Sequence, residues 1–183
     1  MAGSLVLIDE FTISSAVASV TLGGGSSGSS GLNATIDSTF DVYLVIYDNV
    51  QPSTDAQKLN IRFTVSGSPD TSSNYDKAQW VQSADGGSNA QGTSNSSSLD
   101  NLDQGGTGTE ENLQGLNYLY NFNKSDEYSY ITYEGSARSS AAILNARNGA
   151  GVLTVAQATD GIQYFFGSGN IETGTFKLYG IKN

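Results

Sequence analysis

At 183 residues, with 18 acidic side chains against 8 basic ones and a formal charge of −10, the chain is long enough for one core and too poor in cations to neutralise a run of phosphates. It has no Cys and no His, which excludes disulfides, triads built on imidazole or thiolate, and metal sites that need those ligands. Nucleic acid and anionic membranes are thereby disfavoured as partners, and a bound metal would have to be a hard cation held by oxygen.

The first apolar run, Leu5 to Ile8, is followed at once by Asp9 and Glu10, so it is too short for a signal-peptide core or a membrane span. It predicts a strand over 5–13 in a chain that is made in the cytoplasm and stays there until assembled. A second strand over 16–22 leads into "GGGSSGSSG" (23–31), whose position between strands of one core marks it as a mobile surface loop and not an inter-domain linker. The segment "FDVYLVIYDNV" (40–50) is apolar on both faces, with Val42, Leu44 and Ile46 on one side and Tyr43, Val45 and Tyr47 on the other. By contrast "LNIRFTV" (59–65), within a strand expected over 57–66, alternates cleanly, as in a sheet with one wet face.

A strand over 74–82 precedes the polar stretch 83–112, which reads as a long loop, either solvated padding or an arm that contacts a partner. Its acidic part, 100–111, has ligand types for a structural Ca²⁺ but not the EF-hand spacing, so no cofactor is expected. Strands over 113–122 and 127–134 flank the turn "NKSDE"; Tyr118, Tyr120 and Phe122 fall on one face, followed by Tyr128, Tyr130 and Tyr133. The segment 136–149 is the one place where a short helix competes with strands over 140–145 and 152–157. "GIQYFF" (161–166), in a strand over 160–166, is again apolar on both faces, and Gly169-Asn170 predicts a hairpin that lays the last strand, 171–181, beside it.

Many short strands with turn signals between them specify an all-β fold: a single-domain antiparallel β-sandwich of jelly-roll type spanning 1–183, with long polar loops near 23–34 and 83–112. The two-faced strands need a second cover, from a folded-over loop or from another subunit, which makes Tyr43, Val45, Tyr47 and Phe165 candidate interface residues. Tyr118, Tyr120, Tyr128 and Tyr130 are candidate contacts for a glycan or partner if exposed, and sandwich core or interface if buried, the latter being favoured. Carboxylate glycosidase chemistry would need two of Glu10, Glu134 and Glu172 to meet, and surface acids are the simpler reading. No catalytic residues are expected. The Gly-rich stretches neither open a helix nor precede a Lys-Ser/Thr pair, so they are turns and not phosphate loops.

"FDVYLVIYDNVQPSTDAQKLNIRFTVSG" (40–67), "SSNYDKA" (72–78), "GLNYLYNFN" (115–123) and the ending "GSGNIETGTFKLYGIK" (167–182) resemble tailed-bacteriophage virion proteins, especially those of marine and cyanobacterial phages. The resemblance implies a non-enzymatic jelly roll on the outside of the particle. Capsid decoration (cement) protein is the first expectation: a homotrimer or other homo-oligomer bound to the major capsid protein. The alternative is a head-fibre, knob or tail-fibre adhesin binding host surface glycans. The loops 23–31 and 83–112 match no pattern of the family.

Overall fold

Short alternating segments must satisfy their backbone groups between strands. The computed structural model, which describes residues 4–25, 34–100 and 104–182, has no helix among the described residues. Its strands are β1 (Ser4–Thr12), β2 (Ser19–Gly23), β3 (Val42–Pro52), β4 (Leu59–Val65), β5 (Ser68–Pro69), β6 (Tyr75–Ser83), β7 (Ser88–Ser96), β8 (Leu99–Asp100), β9 (Leu113–Tyr120), β10 (Ser129–Arg138), β11 (Leu144–Leu153), β12 (Gly161–Phe166) and β13 (Ile171–Lys182). Eight form one sheet, in the order β1-β13-β3-β9-β10-β11-β6-β7; β2-β12-β4-β5 make the second, with β8 also paired to β4. The steps β1→β2→β3→β4 and β11→β12→β13 each cross between the two sheets. The expected single-domain antiparallel sandwich is therefore the fold.

Three local expectations are corrected. The last strand does not pair with β12: β13 lies inside the large sheet between β1 and β3, while β12 sits between β2 and β4 in the other. Residues 167–170 carry the chain from one sheet to the other, with Gly169 at φ +74°, so the Gly-Asn pair serves a crossover and not a hairpin. Within 83–112, Ser88–Ser96 form β7, antiparallel to β6; seven polar residues with Ala90 and Gly92 show no apolar period, yet their backbone completes the sheet at its edge. Leu144–Leu153 is one strand where two were expected, and 136–149 holds the end of β10, a turn and the start of β11, with no helix. Of the loop near 23–34, residues 26–33 lie outside the described residues.

The core between the sheets contains Leu59, Ile61 and Phe63 of "LNIRFTV", fully buried as expected, with Val20, Leu22, Ile162 and Tyr164 beside them, but the alternation ends at Thr64, which is buried while Val65 is only half-buried. Two aromatic groups span the layers. Tyr47 of β3, Tyr164 of β12 and Phe176 of β13 lie 5.1–6.2 Å apart between centroids, and Phe63 of β4 meets Tyr75 of β6 at 5.6 Å and Phe122 at 4.8 Å. Buried tyrosine hydroxyls need partners, and they find them across strands. Tyr164 donates to Asn117 Oδ1 of β9 (2.7 Å), and the Tyr75 hydroxyl accepts from Phe63 N (3.0 Å) and donates to the Asp70 carbonyl (3.1 Å).

Two glycines make room for such rings. Tyr47 lies over Gly115, its register partner on β9, where a Cβ would collide with the phenol. On β11, Gly149 separates Tyr133 from Gln79, and a Cβ there would come within 2.6 Å of Gln79 Cβ; without it Tyr133 Oη reaches Gln79 Oε1 at 2.6 Å.

A bulge in β1 between Leu7 and Asp9 keeps Leu7 on the outer face and turns Asp9 inward. The buried carboxylate accepts from Gly23 N at 3.0 Å and so ties the first strand to the second sheet. Asp160 joins three segments: its carboxylate accepts from Thr64 Oγ1 (2.6 Å) and Gly67 N (2.8 Å), and its carbonyl from Gly24 N and Ile36 N.

Because β13 is interior, deleting "FKLYGIKN" (176–183) exposes unpaired edges on both β1 and β3 and removes buried Phe176 and Leu178. The truncated chain should not fold; a soluble product that melts cooperatively would contradict this placement.

Candidate functional site

The large sheet has one face on the core and one on solvent, and register fixes which residues share the outer face. One cross-strand row runs Leu7, Tyr179, Leu44, Tyr118, Thr132, Ala150, Ala78 from β1 to β6. Its neighbour runs Glu10, Lys177, Ile46, Leu116, Glu134, Asn148, Trp80, and on the other side Val42, Tyr120, Tyr130, Val152 and Asp76 align. The half built on β1, β13, β3 and β9 is thus aliphatic and aromatic. On β11 and β6 the side chains shrink to alanines around Asn148 and Trp80.

The candidates divide between the faces. Tyr43, Val45 and Tyr47 are core residues at 1%, 0% and 1% exposure, so they cannot form an interface; the inner sheet covers them, and the outward side of the same strand is Val42, Leu44 and Ile46. Phe165 faces outward on the small sheet, where the Arg62 guanidinium stacks over its ring at 4.4 Å, so the second cover is a side chain of the same chain. Tyr118, Tyr120 and Tyr130 are on the outer face as required for contact, with Tyr118 and Tyr120 stacked at 6.5 Å. Tyr128 is exposed in the turn before β10.

Two aromatics depart from the expected rows. Asn121 at φ 60° turns the chain so that Phe122 enters the core, and Tyr133, odd in the alternation that puts Tyr130 outside, points inward. Sequence pattern alone does not mark Leu5, Leu7, Tyr179 or Trp80 as site residues. Period-2 spacing of Leu5 and Leu7 in "SLVLIDEFT" was the available signal for the first two.

The acids do not converge. Glu10 and Glu134 share a row, but β1 and β10 are four strand spacings apart, roughly 19 Å at about 4.8 Å each, beyond the roughly 5–10 Å of a glycosidase pair. Glu10 pairs with Lys177 at 3.3 Å, and Glu172 lies exposed near the opposite end of β13. In the acidic stretch 100–111, Glu110 pairs with Arg138 at 2.5 Å and Glu111 accepts from Gly108 N at 2.9 Å. Asp100 turns inward to Lys77. Residues 101–103 lie outside the described ones, and no group of three or more candidate metal ligands occurs among those described.

Asp100, on β8, is the centre of a charge cluster between the sheets. Lys77 of β6 contacts its carboxylate directly, and Arg147 of β11 and Lys58 approach it at 3.8 Å. Burial and then the neighbouring Arg147 and Lys58 lower the Lys77 ammonium to about 8, since a carboxylate shared among three cations offsets only part of that cost. Burial raises Tyr133 to about 12 and pushes Tyr75 and Tyr164 up as well.

No protein-family model, curated protein or solved structure matches this chain. No helix among the described residues is long and apolar enough to cross a membrane.

Removing a carboxylate that buried cations surround leaves their charge uncompensated. Asp100→Ala should therefore cost about 3 kcal/mol, seen as a Tm lower by roughly 10 °C; an unchanged melt would rule the cluster out as a structural element. The pH dependence has a worked sign. With Lys77 depressed, the unfolded chain holds more protons between about 8 and 10.5, so stability rises across that window; with the tyrosines raised, it holds fewer above about 10, so stability then falls. Urea unfolding from neutral to strongly alkaline pH should show that maximum, with buried tyrosinate absorbance appearing only at or beyond the falling limb. A stability that declines steadily from neutral pH would contradict the Lys77 assignment.

Proposed function

We propose that the chain is a non-enzymatic structural protein of a tailed-phage virion, a decoration protein that associates with copies of itself and with the outer capsid surface. The observation that carries this reading is the edge strand β1, where Leu5, Val6 and Leu7 are 52%, 39% and 46% exposed. A sheet edge with free backbone groups and consecutive exposed aliphatics is a template for another chain. The opposite edge, β7, carries Ser, Asn, Thr and Gln with one Ala and one Gly and presents no large apolar side chain. The apolar edge continues across the outer face into half-buried Tyr179 and, past the buried Leu44, exposed Ile46, with Glu10 and Lys177 neutralising each other alongside. The resemblance of 40–67 and 167–182 to phage virion proteins supplies the setting. The mechanism is mass action: a subunit that binds only assembled shells stabilises them by the free energy of the added contacts.

Light scattering behind size-exclusion chromatography, with co-sedimentation on capsids stripped of this protein, tests the proposal. Leu5→Lys/Leu7→Lys should lower the oligomer to a monomer and weaken capsid binding at least tenfold, with little change in Tm because both side chains are already exposed. A wild-type monomer that ignores capsids would sink the reading.

A further inference from the structure

The outer face of β10, β11 and β6 differs from the apolar half beside it. Three shallow depressions run into one another there, of ≈ 290, ≈ 390 and ≈ 280 Å³: the first two share Ala150, and the second and third share Glu134 and Asn148. The floor is low because Ala78, Ala146 and Ala150 stand where larger residues would fill it. Tyr118 and Tyr130 rise along one side of this trough, and Trp80, 41% exposed, flanks Asn148 on the neighbouring strand.

We infer that this trough is a binding site for an uncharged oligosaccharide. Aromatic rings beside a row of planar polar groups suit a sugar, which presents an apolar face of C–H groups and a rim of hydroxyls. Glu134 offers acceptors, and the amides of Asn148 and Gln82 offer donors and acceptors; among the described residues no hydrogen bond or ion pair engages any of the three. The charge around the site selects against anions: Glu134 and Asp76 lie on it, the lining cations Lys77 and Arg147 are buried and directed to Asp100, the nearby Arg138 is paired with Glu110, and the chain carries −10 overall. An extended peptide could not add to the sheet here, since β10, β11 and β6 are interior strands whose backbones are paired on both sides. The site does not use β1, so it stands or falls separately from self-association.

The test uses the chain's one tryptophan, Trp80, which sits beside Asn148 at the margin of the trough and reports binding there by its emission. The full-length protein is titrated with neutral hexaoses of glucose, mannose, galactose, xylose and N-acetylglucosamine, and screened on an array of bacterial surface polysaccharides. A saturable change in emission with a neutral glycan, unaffected by salt, is expected. Calorimetry should show binding weakened about tenfold or more in Trp80→Ala and Asn148→Ala, with melting curves like wild type. Leu5→Lys/Leu7→Lys should bind as wild type, which separates this result from failure of the assembly reading. Absence of any glycan binding, binding only to anionic polymers that salt abolishes, or full affinity in Trp80→Ala and Asn148→Ala would each overturn the inference.

Discussion

Buried phenol groups set the alignment of this sandwich. A tyrosine ring contributes large apolar area, but its hydroxyl must be hydrogen-bonded once water is gone, or the burial costs more than it gives. Tyr164 meets this demand on Asn117 of the opposite sheet, and Tyr75 meets it on the backbone of β4. Each bond fixes one sheet against the other at a defined register, which a purely aliphatic core would leave to shape alone. Without disulfides, that directional requirement does what a cross-link would do in a smaller secreted domain.

The same requirement shapes the sheets. Tyr47 crosses above Gly115 and Tyr133 reaches past Gly149, so glycines inside β9 and β11 are positions kept empty for rings rooted on adjacent strands. Charge follows a related logic at one end of the core, where Asp100 draws Lys77 and Arg147 between the layers. The solvent side is free of these constraints. It divides into an apolar half that begins at β1 and a shallower half, floored by alanines, that carries Trp80. The proposed contacts with other subunits and with glycan each use one half.

Legibility from sequence followed the source of each element's stability. "LNIRF" was readable because its burial is one-sided, whereas buried Thr64 was not, because Asp160 takes its hydroxyl; β3 was readable as two-faced because Val42, Leu44 and Ile46 alternate with Tyr43, Val45 and Tyr47. Which of the two faces would be core was not readable, since both are apolar; the small sheet settled it by packing on the tyrosines. β7 left no signal because its stabilisation is backbone pairing to β6, which any residue but proline supplies. The outer-face tyrosines were legible as a row, but Tyr133 and Phe122 left it because alternation and the turn at Asn121 send them inward.

The ending shows the same division. Alternation in "TGTFKLYGIKN" determined that the chain finishes as a strand, since period-2 burial is a local property that any sheet rewards. Its partners were a tertiary decision. A glycine at positive φ permits a hairpin or a crossover equally, and β13 went between β1 and β3 because Phe176 fits beside Tyr47 and Tyr164 there. Composition, all-β class and the absence of imidazole and thiol chemistry were fixed by the sequence by itself. The choice of buried face, the open apolar edge at β1 and the trough beside Trp80 depend on which strands become neighbours, and that is settled only when the whole sandwich closes.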